Sequence, residues 1–199
     1  MAATMPPEPA PELWLLVGGN GSGKSTFYYR FLARYDIPLI NADNIARTFW
    51  PEEPENHSYE AARLAEKERF RLIEQGRTFC FETVYSHPSK LDFVAQAKAR
   101  GYCIRVFYFH LDDLTLNLAR VACRVQDGGH DVPEDKVRQR VPRTLDLVTR
   151  TVGLADEMHL VDNASADKPY RRVATWQNGT WHLYAEPPPA WALRIMEPQ

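Results

Sequence analysis

Gly18-Gly19-Asn20-Gly21-Ser22-Gly23-Lys24-Ser25 decides how the rest of this 199-residue chain is read. The octapeptide fits G-x-x-x-x-G-K-[S/T], and its surroundings are those in which the pattern acquires a mechanism. Leu13–Val17 before it is a short apolar run that predicts a buried strand, and Lys24–Tyr35 after it carries Phe27, Phe31 and Leu32 at helical spacing. In a strand, loop, helix sequence of this kind the glycines let backbone N–H groups curl around a phosphate, and the helix N-terminus adds partial positive charge. Lys24 then reaches the β- and γ-phosphates, Ser25 offers a hydroxyl to Mg²⁺, and Thr26 is counted among the cofactor-binding residues. The expected cofactors are ATP and Mg²⁺, with the loop residues 18–26 as their site.

Outward from this loop the chain alternates. Ile37–Ile40 predicts a second strand, Asn44–Phe49 a helix, Ser58–Gln75 a long amphipathic helix closed by Gly76, and Thr78–Glu82 a third strand. Pro88–Arg100 reads as a helix stopped by Gly101, and Tyr102–Phe109 is the most β-prone run of the chain. Leu114–Gln126 and Pro133–Thr151 are helices around a glycine-containing loop, Met158–Val161 is a last core strand, and Asn178-Gly179 splits Val173–Tyr184 into a hairpin. That order predicts an α/β P-loop kinase fold: a central, mostly parallel sheet with helices on both faces, an arginine-rich lid over about residues 120–143 and a C-terminal β-hairpin. Residues 1–12, rich in proline, read as a disordered tail, and 13–199 as a single domain.

Composition narrows the function classes. Apolar residues make up 44% and charged residues 25%, which excludes wholesale disorder, and no apolar run is long enough to span a membrane. The N-terminal segment lacks a basic start followed by an apolar stretch, so cytoplasmic residence is the expectation. A formal net charge of −2 and the lack of a basic, aromatic-interleaved stretch argue against a nucleic-acid groove. Cys80, Cys103 and Cys123 sit next to apolar residues without metal-ligand spacing and read as buried thiols. A guanine-binding N-K-x-D is missing, which weakens a GTPase reading and leaves a small-molecule kinase as the best fit.

Several other residues have two readings on their own chemistry. Asp43, at a strand-to-helix junction, is a proton acceptor for an incoming hydroxyl or an N-cap for the helix from Asn44. Glu82 and Thr83 are ligand contacts or a polar strand terminus. Arg120 and Arg124 share a helix face at i,i+4; with Arg138 and Arg140 they are phosphate contacts or surface ion pairs. Asp112-Asp113 reads first as a helix cap. Trp176, Trp181 and Tyr184 read as a cover for an apolar flank of the sheet.

Leu16–Phe27, Asn41-Ala42-Asp43-Asn44-Ile45-Ala46, Phe81-Glu82-Thr83 and Gly128-Gly129-His130-Asp131-Val132-Pro133 together resemble the zeta toxin family, specifically its short stand-alone members. The resemblance covers roughly residues 13–163. It implies ATP/Mg²⁺-dependent phosphorylation of a hydroxyl on a nucleotide-activated sugar such as UDP-N-acetylglucosamine. It also implies a toxin's role beside a separately encoded antitoxin. Alternatives are kinase action on another small metabolite and a non-catalytic nucleotide-binding regulator. By the same resemblance Asp43 is the base, and Glu82 and Thr83 hold the acceptor or the metal. Arg124 and Arg138 neutralise the transferring phosphoryl group; Arg120 and Arg140 lie near the adenine or triphosphate, with Arg140 also meeting the acceptor. Asp162-Asn163-Ala164-Ser165 resembles the family's turn beside the adenine, which makes Asn163 a nucleotide contact.

Overall fold

The alternation of side chains along the first strand fixes the architecture. In the computed structural model, which describes residues 9–126 and 132–197 without the side chains of Arg124 and Gln126, β1 (Glu12–Gly18) lies in the middle of a seven-stranded sheet. Leu13, Leu15 and Val17 join a large core on one face, and Leu16 joins a smaller core on the other. A strand buried on both faces belongs inside a parallel sheet, and β1 pairs in parallel with β3 (Phe79–Thr83) and β4 (Cys103–His110). The full order is β2-β3-β1-β4-β5-β6-β7, with β2 at Leu39–Ile40, β5 at Glu157–Asp162, β6 at Arg171–Gln177 and β7 at Thr180–Leu183. The first five are parallel and β6 and β7 run antiparallel.

The two faces are covered unequally. The larger core takes α3 (Ser58–Glu74), α4 (Ser89–Ala99) and α6 (Glu134–Thr151). The smaller core is closed by α1 (Lys24–Phe27), which continues as a π turn over Tyr28–Leu32 and a 3-10 turn over Ala33–Tyr35. Two further helices frame the strand ends: α2 (Ala42–Phe49) and α5 (Leu114–Gln126). Because the chain runs from β1 to β2 on one side and from β4 to β5 on the other, the turn after Gly18 opens at the point where strand order reverses, the usual ligand position of such sheets.

Four details differ from the sequence reading. Glu12, assigned to the tail, begins β1, because its backbone N–H donates to Thr78 Oγ1 and its carboxylate pairs with Arg105. A seventh helix, α7 (Ala190–Met196), follows the prolines 187–189 and buries Trp191, Ala192 and Ile195 in the larger core. Of the three cysteines Cys80 is buried, Cys103 half-buried and Cys123 exposed. In the hairpin Trp176 and Trp181 pack on the core as expected, whereas Tyr184 is 53% exposed, its ring under the guanidinium of Arg172 at 4.2 Å. Among the described residues, no helix is long and apolar enough to cross a membrane.

At the end of β4, His110 is buried against Trp191, ring centroids 4.6 Å apart, and its Nδ1 is 2.8 Å from the Tyr108 hydroxyl. Burial pulls its pKa from 6.5 down to about 4, against the weaker pull of Asp112 and Asp162. The unfolded chain therefore takes up this proton first, so the contribution of His110 to stability is complete above about pH 6.5 and is lost as pH falls toward 4. Urea unfolding at pH 7 and pH 4.5 is expected to reveal a loss of roughly 2 kcal/mol from this group. His110→Gln should flatten that part of the pH profile.

Candidate active site

The glycine loop turns on itself, the N–H of Ser22 donating to the carbonyl of Gly19 at 3.2 Å. Gly23 caps α1 with φ +92° and contributes no side-chain cap, so the first-turn N–H groups face outward. Lys24, only 6% exposed, donates from Nζ to the carbonyls of Gly18 at 2.9 Å and Gly19 at 3.0 Å. The hydroxyl of Ser22 is buried without a hydrogen-bond partner. Open first-turn amides, a lysine laid over the loop and an orphaned hydroxyl fit the phosphate chain of a nucleotide.

Neighbouring elements brace this loop from outside. On α5, Asn117 donates from Nδ2 to the carbonyl of Asn20 at 2.7 Å. After β5, Asn163 donates from Nδ2 to the carbonyl of Ser22 at 2.9 Å, and its Oδ1 accepts from the N–H of Tyr170 at 3.0 Å. The Tyr170 hydroxyl donates to the carbonyl of Gly23 at 3.2 Å. Asn163, expected to meet the nucleotide, lines the cleft, and its amide ties the loop backbone to Tyr170. The fit is close enough that a Cβ on Gly23 would lie 2.4 Å from Asn163 Nδ2. Asn117 and Tyr170 escape sequence reading because their partners in the loop, Asn20 and Gly23, are more than 90 residues away along the chain.

The acidic side of the site depends on Asn41, at the end of β2. Its Oδ1 accepts from the N–H groups of Asp43 at 2.7 Å and Asn44 at 3.2 Å, which makes Asn41 the N-cap of α2. The cap suggested for Asp43 is therefore corrected: the helix begins two residues earlier, and the Asp43 carboxylate is left to its first turn, exposed toward the cleft. The other end of the Asn41 amide donates to Glu82 Oε2 at 2.7 Å, and Glu82 Oε1 accepts from Ser25 Oγ at 2.8 Å. Thr83 Oγ1 accepts from the N–H of Tyr85 at 3.0 Å. Asp43, Glu82 and Thr83 line one cleft together with Asn20, Gly21, Gly23, Lys24, Ser25 and Thr26, and its volume is about 1200 Å³. That exceeds the roughly 300–1,000 Å³ of a pocket for one small molecule and leaves room for two ligands.

The arginines divide. Arg120 and Arg140 line the cleft with Lys136, and Arg140 NH1 is 3.4 Å from Asn20 Oδ1. Arg138 is not brought there: it pairs with the exposed Glu134, one turn earlier on the outer side of α6. Residues two apart on a helix lie on nearly opposite sides, so Arg138 and Arg140 cannot both face inward. Val137 is buried, and Arg140 follows it by three residues on the same face, a signal the sequence carried. The side chain of Arg124 and residues 128–131 lie outside the described residues. Asp113 caps α5, its Oδ1 accepting from the N–H of Thr115 at 2.8 Å, and the Thr115 hydroxyl together with that N–H lowers its pKa.

Residues 13–144 match the model of the AAA domain family AAA_33. The chain belongs to this family. An uncharacterized protein of Haemophilus influenzae is 33% identical over 136 residues, 65% of this chain and 96% of its own length. The AvrRxo1-ORF1:-ORF2 complex with ATP matches with a TM-score of 0.71 at 15% identity, over 88% of this chain and 61% of that one. The PezAT chromosomal toxin–antitoxin system of Streptococcus pneumoniae matches at 0.64 and 14% identity, over 87% and 75%. This chain spans about three fifths of the AvrRxo1-ORF1:-ORF2 chain it matches. At such identities the shared property is the P-loop kinase-like fold.

In this AAA_33 domain Gly23→Ala would combine a left-handed backbone, costing roughly 1–2 kcal/mol, with the clash against Asn163. The expected result is a far-UV circular dichroism spectrum like wild type and binding of a fluorescent ATP analogue weakened at least about tenfold.

Proposed function

We propose that this protein is an ATP/Mg²⁺-dependent phosphotransferase with an alcohol as acceptor, and that the acceptor is a nucleotide-activated sugar of the UDP-N-acetylglucosamine kind. The observation that carries the reading is the release of Asp43 from capping. Asn41 takes the backbone N–H groups, so a carboxylate stands free in the same cleft as Lys24 and Ser25. In the proposed step the loop amides and Lys24 hold the triphosphate, and Asp43 accepts the proton of the acceptor hydroxyl. The bond from that oxygen to the γ-phosphorus forms as the bond to the bridging β–γ oxygen breaks, and ADP leaves. Arg120, Lys136 and Arg140 offset the charge on the phosphoryl oxygens, the part the sequence reading gave to Arg124 and Arg138. Ser25, with Glu82 hydrogen-bonded to it, would hold the Mg²⁺, which neutralises charge on the phosphate oxygens when bound.

The resemblance to zeta toxins supports the acceptor class, and the toxin–antitoxin system among the similar folds supports a separately encoded antitoxin as partner. The test incubates the protein with ATP, Mg²⁺ and a panel of UDP-sugars and follows the mass gain of one phosphate. Asp43→Asn is expected to lower transfer about a hundredfold or more while nucleotide affinity stays within about twofold. Expression in a bacterium should be toxic for wild type and harmless for Lys24→Ala. If no UDP-sugar gains mass, the acceptor class is wrong; if Asp43→Asn turns over like wild type, Asp43 is not the base.

A further inference from the structure

On α3 the buried stripe runs Ala61, Ala65, Arg69, Leu72, Ile73, and the fourth-residue spacing places a guanidinium where an apolar side chain belongs. Arg69 is 2% exposed. Its guanidinium carbon lies 4.1 Å from the ring centroid of Phe81 and 5.2 Å from that of Phe93. Its Nε has no hydrogen-bond partner, and its ion pair with the half-exposed Glu66, at i−3, spans 3.9 Å. A second cation shares the ring: Lys90, half-buried on α4, has Nζ 5.8 Å from the Phe81 centroid. Burial lowers the pKa of Lys90, and the charge of Arg69 lowers it further; burial brings Arg69 down to about 10 against the opposing pull of Glu66.

Both cations line the cleft, as does Phe81, whose successor on β3 is Glu82. Among the described residues, the cleft carboxylates Asp43 and Glu82 form no ion pair with Arg69 or Lys90. A buried cation is costly, and the long ion pair with Glu66 and the two rings offset that cost only in part. Stacking on two rings holds the guanidinium in place while leaving its edge open for an oxyanion. Two cations suit the diphosphate of a nucleotide-activated sugar, with one negative charge on each phosphate, better than a single carboxylate.

We infer that Arg69 and Lys90 form an anion subsite on the acceptor side of the cleft, and that it takes a phosphoryl group already present on the acceptor. The inference rests on the transferase reading for the word acceptor, but the subsite can be read without turnover. With the glycine loop saturated by AMP-PNP and Mg²⁺, inorganic phosphate is titrated into the full chain by calorimetry, with acetate in parallel. Wild type is expected to bind phosphate saturably and acetate at least about tenfold more weakly. Lys90→Met and Arg69→Met should each weaken phosphate binding about tenfold or more.

Arg69→Met should also raise the melting temperature by about 2–4 °C, because it removes a buried charge without a full partner. Undiminished phosphate binding in both variants, or none in wild type, overturns the subsite. A lower melting temperature for Arg69→Met, with Lys90→Met binding like wild type, overturns it too, since the guanidinium would then serve only the core. Equal affinity for acetate overturns the phosphoryl assignment. Phosphate seated in the glycine loop would ignore both variants, so a failure of nucleotide binding is distinguishable from a failure of the subsite.

Discussion

One carboxylate holds the ends of three strands in place. Glu82 accepts from Ser25 on one oxygen and from Asn41 on the other, at 2.8 and 2.7 Å. Ser25 belongs to the helix that follows β1, Asn41 ends β2, and Glu82 stands near the end of β3, so the bridge fixes the phosphate loop against the acidic side of the cleft. Hydrogen bonds to a charged acceptor are the strong kind. The same asparagine caps α2, which ties the placement of Asp43 to the placement of Ser25 through two side chains and no other element. A sheet with β1 between β3 and β4 makes the gap; the Glu82 bridge gives it defined walls.

What the sequence disclosed follows from the range of the interactions. The glycine loop, the strand before it and the helix after it are local, and each was legible from a few neighbouring residues. Asp43 was legible as a carboxylate at a strand end, but its freedom was not, because Asn41 and Asp43 are two residues apart and both are good caps. The distinction between Arg138 and Arg140 needed the phase of α6 relative to the cleft, which buried Val137 supplies only once the helix is known to pack through it. Helix α7 is seven residues long and follows a run of prolines, so no periodic signal announced it. The braces from Asn117, Asn163 and Tyr170 join distant parts of the chain and leave no local trace.

The loop and the far wall of the cleft share an energetic character. Among the described residues, the buried side-chain polar atoms without a partner are Ser22 Oγ and Arg69 Nε, one in the phosphate loop and the other in the wall formed by α3 and Phe81. Native folds leave few such atoms, and the few that persist ask for an explanation. Elsewhere this protein satisfies its interior with care: the buried Tyr85 hydroxyl meets Thr151, Tyr102 meets two carbonyls, and Tyr108 meets His110. Unmet polarity is therefore not a general looseness of the packing. It is concentrated where a triphosphate and a second anionic ligand would each bring the missing partner, and a fold tuned for stability alone would have placed a methionine at position 69.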